Sequence, residues 1–408
     1  MFAAGLFWLV APARAAEPAA TGPVRFNTAF EGAALERVDV VSENEFRIYV
    51  PGQQDQRGRN RQATWFYFRM DNVRGRDLTI TMTGFLPGEY NDQPSSHVSY
   101  EMIPVFSQDG EHWQHFSTMA WDKEKAEGTL KLHAERDSVW LAMEPPYPHS
   151  RLVRLLGEIA QSPHARVEVV GRSVLGRELS VVTVTDLATP DAGKKTIWLQ
   201  ARDHAWESPT SFIMEGALKF IVSDDPAARA LREKFILVFT PMVDPDGSAL
   251  GRVRFNANGW DLNRGWDDVD LRDPVWLQRL PEVWYYKKAI RDYAATGRKV
   301  ALLVHLHNTI QEYMTADAPT AADVPMLEHF SEILNAKTQF DPSRPFRVNP
   351  GFNRRPETRA PWWVEYGVPL VLIECRVAQG KKLNGFATSE QRMAFGPELV
   401  KAMAEAVK

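Results

Sequence analysis

The sequence predicts a two-part α/β protein: an antiparallel β-sandwich, then a mixed, mostly parallel sheet covered by helices on both faces. Three observations carry this. Residues from about 25 to 145 hold short alternating or apolar segments separated by turn residues, with no long helical period between them. Pro145-Pro146-Tyr147-Pro148 then forms a stiff boundary, since each proline fixes its own φ and restricts its predecessor. Beyond it, purely apolar strands alternate with helical patterns, as expected of parallel strands buried on both faces. The expected divisions are residues 1–16 as a signal peptide, 17–148 as the sandwich and 149–408 as the second domain.

Composition bounds the function. A chain of 408 residues with 44% hydrophobic and 25% charged side chains can bury two cores. Forty-eight basic residues against 52 acidic ones leave a net charge of −4, too balanced for a nucleic-acid surface. No run of eighteen apolar residues argues for a membrane span. At the N-terminus, Phe2 to Val10 has the length of a signal-peptide core. Ala13-Arg14-Ala15 fits the small-x-small cleavage rule, although the usual basic start is missing. The expectation is export to the periplasm or medium, with a cytoplasmic location as the alternative. The single cysteine, Cys375, excludes an internal disulfide framework.

In chain order, the sandwich strands are expected at Phe46–Val50, Thr64–Met70, Leu78–Met82 and Ser138–Met143. His112 and His115 flank Trp113 beside a turn and read as surface or packing. In the second domain a helix over Leu152–Ala160 precedes a hairpin, Ala165–Val170 with Leu179–Thr185. Strands follow at Ile197–Gln200, Phe235–Thr240, Ala301–Val304 and Leu370–Ile373. Helices are expected from Pro209, near Val275–Tyr293, near Val324–Leu334 and from Ser389. In the Pro209 helix, Phe212, Ile213, Gly216, Ala217, Phe220 and Ile221 form one apolar stripe for the sheet.

Open sheets of this kind carry their sites at the carboxyl ends of strands, and four polar features fall there. His204-Ala205-Trp206-Glu207 follows the strand Ile197–Gln200; an imidazole and a carboxylate three residues apart can reach one divalent metal, and zinc suits N and O donors. After Phe235–Thr240 come Asp244-Pro245-Asp246-Gly247 and a loop holding Arg254, Asp261, Asn263 and Arg264. Its arginines and asparagine suit a carboxylate and a developing oxyanion. His305-Leu306-His307 ends the third strand; both imidazoles face one side of an extended segment, so either could complete a metal site. Glu374 closes the fourth strand after four apolar residues, and desolvation near a metal would tune it as a general base.

Taken together, HxxE, Pro-x-x-x-Pro-Asp-Gly, Arg…Asp-x-Asn-Arg, a strand-end His and a strand-end Glu resemble the zinc metallocarboxypeptidases of the carboxypeptidase A type. Trp65-Phe66-Tyr67-Phe68-Arg69 and the Pro-Tyr-Pro linker resemble the cytosolic carboxypeptidase (deglutamylase) branch, and the resemblance covers nearly the whole chain from about residue 25. It implies a catalytic domain over 149–408 that binds one zinc ion per chain through His204, Glu207 and His307. It implies that Asp261 orients the first zinc imidazole and that Glu374 is the base toward water. Arg254 would stabilise the oxyanion, and Asn263 with Arg264 would clamp the free C-terminal carboxylate of a peptide substrate. Arg359, fifteen positions before Glu374 and four before Trp363, corresponds to an arginine that faces the departing side chain, so an acidic C-terminal residue is expected. In two respects the chain departs from the pattern. The tyrosine that many digestive relatives bring onto the substrate carboxylate has no counterpart, and Gly367 to Glu374 is one residue shorter than usual. Two competing readings share much of this chemistry: an amidase of cell-wall peptides at a γ-D-Glu or diaminopimelate linkage, and an acylamino-acid deacylase of the aspartoacylase type. A catalytically dead binding protein would require loss of a ligand or of the base.

Overall fold

The computed structural model describes residues 20–90, 93–94, 98–351 and 361–408. The apolar N-terminal stretch with Ala13-Arg14-Ala15, and Arg359, lie outside them.

Two five-stranded sheets form the sandwich. One holds Arg25–Asn27, Tyr67–Asp71, Ser138–Ala142, Val105–Ser107 and Gln114–His115; the other holds Ala120–Asp122, Glu127–His133, Asp77–Thr83, Glu45–Tyr49 and Arg37–Ser42. Alternation makes them: Leu78, Ile80 and Met82 are buried while their neighbours are not, so one face of each strand meets the core. The pairing is antiparallel, with one exception: Glu45–Tyr49 runs parallel to Asp77–Thr83. A small four-stranded sheet, Gln53–Gln54, Arg61–Gln62, Glu89–Tyr90 and Gln93–Pro94, extends from the sandwich.

The second domain is built on an eight-stranded sheet. Its order is Ala165–Arg172, Glu178–Val184, Phe235–Thr240, Lys195–Ala201, Val300–Thr309, Leu370–Arg376, Tyr313–Ala318, Arg347–Pro350. The four central strands are mutually parallel, which brings their carboxyl ends to one edge. The hairpin at Ala165–Arg172 and Glu178–Val184 is antiparallel, as expected. The sequence reading did not include Tyr313–Ala318 or Arg347–Pro350.

Helices cover both faces. The expected stripe of Ser208–Val222 packs into the main core through Phe212, Ile213, Ala217 and Ile221. Gly216 faces elsewhere, towards the C-terminal helix Ser389–Ala406: a Cβ there would lie 1.9 Å from the Met393 carbonyl, and one on Gly396 2.3 Å from that of Ile213. The helix is thus buried between sheet and helix. The single helix expected near Val275–Tyr293 is two, Val275–Arg279 and Pro281–Ala295, because Pro281 lacks the N–H needed to continue the first. None of the described helices is long and apolar enough to cross a membrane.

The two cores meet. Trp206, Val253 and Val377, all from the second domain, are buried in the cluster that fills the sandwich.

Candidate active site

The central strand Lys195–Ala201 runs out into Arg202, whose φ of +67° is left-handed and strained for a residue with a side chain. The Arg202 guanidinium is buried and braces the turn it starts. Its Nε donates to the Ala205 carbonyl at 2.8 Å, and its terminal amines donate to Ser211 Oγ at 2.8 Å and to the Tyr147 carbonyl at 3.3 Å. The His204–Glu207 turn is thus fixed from beneath before Ser208–Val222 begins.

Three donors converge on that turn. His204 Nδ1 lies 2.7 Å from Glu207 Oε1, and His307 Nδ1 lies 3.0 Å from Glu207 Oε2. All three side chains are buried, with donor atoms within 4.8 Å of one another. The other nitrogen of His204, Nε2, lies 3.2 Å from Asp261 Oδ1, which leaves Nδ1 for the shared point. Burial and nearby Arg254 work against a charge on His204; Glu207 and Asp261 outweigh both and push it up to about 9. Burial opposes the Glu207 carboxylate, yet the two imidazoles hold it well below the usual carboxylate range. Burial pulls His307 down to about 4. A buried carboxylate flanked by two imidazoles fits a zinc ion.

His305 shares the face of His307 but is committed elsewhere. Its Nε2 lies 2.9 Å from Asp203 Oδ1, and the other Asp203 oxygen accepts from Trp266 Nε1 at 2.8 Å. Asp203, His305 and His307 also lie within metal-ligand reach of one another. Of these three, His307 is the one that meets Glu207.

Glu374 stands beside His307. The parallel strands Val300–Thr309 and Leu370–Arg376 pair His307 with Glu374 in register. Its Oε2 is buried and finds no hydrogen-bond partner among the described residues. Burial first, then the charge of Glu207, push the Glu374 carboxyl up to about 8. An unpartnered buried oxygen is costly in a purely structural carboxylate and suits one that exchanges a proton.

The loop after Phe235–Thr240 supplies the cations. Arg254 is largely buried, and its Nε donates to Asp261 Oδ2 at 2.7 Å, so one carboxylate holds both Arg254 and His204. Asp261 also caps Leu262–Asp268 by accepting from the Arg264 N–H at 3.3 Å. Arg254 and His204 hold Asp261 below its ordinary range although burial works against it. Asn263 is half-buried in the first turn of that helix, and exposed Arg264 donates to the Tyr90 hydroxyl at 2.7 Å. Tyr90 comes from the small sheet of the sandwich, and the Arg254 guanidinium lies 6.0 Å from its ring centroid. A cavity of about 190 Å³ opens here, lined by Asp55, Arg57, Tyr90, Trp260, Asp261 and Arg264 among others.

The structure therefore brings together His204, Glu207, His307, Glu374, Asp261 and Arg254, with Arg264 and Asn263 on the adjoining turn. The sequence reading did not include Arg202, Asp203 or Tyr90. Asp203 had a local signal, an acid directly before the HxxE histidine. Tyr90 had none, since 174 positions separate it from Arg264.

Known proteins match both halves. The cytosolic carboxypeptidase N-terminal domain matches residues 26–143, and the zinc carboxypeptidase family matches residues 152–315, a span that ends before Glu374. Cytosolic carboxypeptidase 3 of Mus musculus is 27% identical over 312 residues, 69% of this chain and 29% of its own length. Cytosolic carboxypeptidase 2 of Danio rerio is 29% identical over 277 residues, 60% of this chain and 36% of its own. The chain thus spans well under half the length of those two relatives. A solved metallo-carboxypeptidase from Burkholderia cenocepacia superposes with a TM-score of 0.78 over 94% of this chain and 99% of that one, at 24% identity, a likeness of fold. The two family matches follow one another along a single fold of this kind: residues 152–315 belong to the zinc carboxypeptidase family, and residues 26–143 are the N-terminal domain that cytosolic carboxypeptidases carry.

Proposed function

We propose that this protein is a zinc-dependent metallocarboxypeptidase that removes an acidic residue from the C-terminus of a peptide. The observation that carries the reading is the pairing, on adjacent parallel strands, of His307 in a buried three-donor group with Glu374, whose Oε2 has no partner among the described residues. His204, Glu207 and His307 would hold the metal, one ion per chain. Bound there, zinc supplies Lewis acidity toward the scissile carbonyl and lowers the pKa of a water.

The remaining work falls to side chains. Glu374 takes the proton of the attacking water and returns it to the leaving amine. Arg254 spends its Nε on Asp261, so its terminal amines are the donors it offers to the oxyanion. Asn263 and Arg264, one turn further on, receive the terminal carboxylate of the substrate. Arg359 reads the departing side chain; its support is its spacing from Glu374 and the branch resemblance. The N-terminal apolar stretch is an export signal in this reading, supported by its length and by Ala13-Arg14-Ala15. Sequencing the N-terminus of the protein recovered from a periplasmic extract tests that, and an intact Met1 there would refute it.

The function is tested with peptides that differ only in their last residue. Wild type is expected to prefer Glu or Asp at the terminus, and Arg359→Ala to lose that preference by about tenfold or more, the effect of removing one charge-assisted contact. Glu374→Gln should bind zinc with wild-type stoichiometry while kcat falls at least about a thousandfold. Unchanged turnover in Glu374→Gln refutes the mechanism, and a preference retained by Arg359→Ala refutes the pocket.

A further inference from the structure

One side chain of the small sheet grips the backbone of the arginine loop. Gln53, on the short strand Gln53–Gln54, places its carboxamide oxygen against three consecutive backbone N–H groups. It accepts from Val253 at 3.0 Å, from Arg254 at 2.7 Å and from Phe255 at 3.1 Å. Its amide nitrogen donates back to the Phe255 carbonyl at 2.6 Å. An amide is the one neutral side chain that offers acceptor and donor together at its tip, and here both are spent on the backbone that carries Arg254. Three adjacent N–H groups converging on one point form a concavity that polar oxygen fills well. Without Gln53 those donors would face neither helix nor strand partners.

The neighbouring contacts point the same way. Gln56 N–H donates to the Gly259 carbonyl at 3.0 Å. Gly259 has φ +80°, and a Cβ there would lie 2.8 Å from Gln56 N, so the approach of the two segments requires glycine. On the far side of the loop, the Val253 carbonyl accepts from the Trp206 N–H at 3.0 Å, inside the His204–Glu207 turn. The loop is therefore held between the sandwich and the metal-ligand turn, with Arg254 at the point of attachment.

We propose that Gln53 is a positioning residue of the active site, through which the N-terminal sandwich sets the place of Arg254. This rests on the carboxypeptidase reading, in which Arg254 serves the oxyanion. Gln53 itself touches no substrate; it acts only by fixing where the Arg254 backbone lies.

The test uses the full-length, zinc-loaded chain. Gln53→Met keeps the length of the side chain and removes all four hydrogen bonds. Its kcat is expected to fall about tenfold to a hundredfold, the penalty for displacing an oxyanion donor, with KM and zinc content near wild type. Gln53→Glu keeps the acceptor for the three N–H groups and should recover most of that loss. In an Arg254→Ala background, adding Gln53→Met should cost nothing further, because Gln53 acts only through Arg254. Hydrogen exchange supplies a readout apart from activity: the amides of residues 253–255 should exchange slowly in wild type and fast in Gln53→Met. Unchanged exchange, or a full additional loss in the Arg254→Ala background, would overturn the proposal. Faster exchange in the variant of a protein that cleaves no peptide would instead overturn the carboxypeptidase reading and leave Gln53 as an anchor.

Discussion

His307 and Glu374 stand out in the sequence because each interrupts a strand that is otherwise apolar and has no structural reason to carry it, and His204 with Glu207 because they stand three apart just beyond one. What the sequence left open was which of His305 and His307 would complete the proposed metal site, since extended backbone puts both on one side. The structure gives His305 to Asp203 and His307 to Glu207. Substituting the two separately should discriminate them: His307→Gln is expected to lose zinc on dialysis, and His305→Gln to retain it, as read by metal analysis. Equal loss in both would place His305 in the coordination sphere. Asp261 is expected to matter twice, since it grips His204 and Arg254 with different oxygens. Asp261→Asn should weaken zinc binding about 10- to 100-fold in competition with a chelator, the range found for partners that orient metal ligands.

At the scale of elements, the strand Val300–Thr309 runs five residues past the expected end at Val304; its ladder with Leu370–Arg376 continues through His305, His307 and Asn308, whose polar side chains hide the extension from an apolar pattern. The last two strands at one end of the sheet, Tyr313–Ala318 and Arg347–Pro350, escaped notice for a related reason. They are short, half-exposed and polar at alternate positions, so no apolar run marks them. Asp244 shows how burial can reverse a residue's ordinary chemistry. It caps the helix Pro245–Leu250 by accepting from the Gly247 N–H at 2.8 Å, while its Oδ2 is buried without a partner among the described residues. Burial first, and then the like charges of Glu282 and Asp246, push its carboxyl up to about 8. A folded-state value raised this far means that the protonated acid is the form the fold favours. Its contribution is complete below the ordinary carboxyl range and is lost as pH climbs through about 8. Asp244→Asn keeps the capping oxygen and cannot ionise. Its advantage in melting temperature over wild type should be small near pH 4 and grow toward pH 9, by an energy on the order of 1–3 kcal/mol. A mutant no more stable than wild type at pH 9 would show that Asp244 is ionised there at no cost.

Over the whole molecule, the parts on either side of the proline boundary near residue 145 share a core. Trp206 lies between two proposed zinc ligands in sequence, yet its indole is buried in the core of the sandwich together with Val253 and Val377. No local pattern could disclose this, because an apolar residue within a polar turn looks the same whichever core receives it. Nor could the sequence disclose the Gln53 and Tyr90 contacts, which join segments 200 and 174 positions apart. Burying one tryptophan is worth roughly 4–6 kcal/mol at about 25 cal/mol per Å², an upper figure comparable to the whole stability of a domain. A chain cut to residues 144–408 would expose that indole beside His204 and Glu207 and would leave the arginine loop without Gln53. It is expected to be insoluble or to bind zinc far more weakly than the full chain. Intact protein should melt in a single calorimetric transition in which zinc raises the unfolding temperature of both parts together. Two separate transitions, with only the later one responding to zinc, would mean that the sandwich is a passenger; one transition that moves as a whole would make it a wall of the active site.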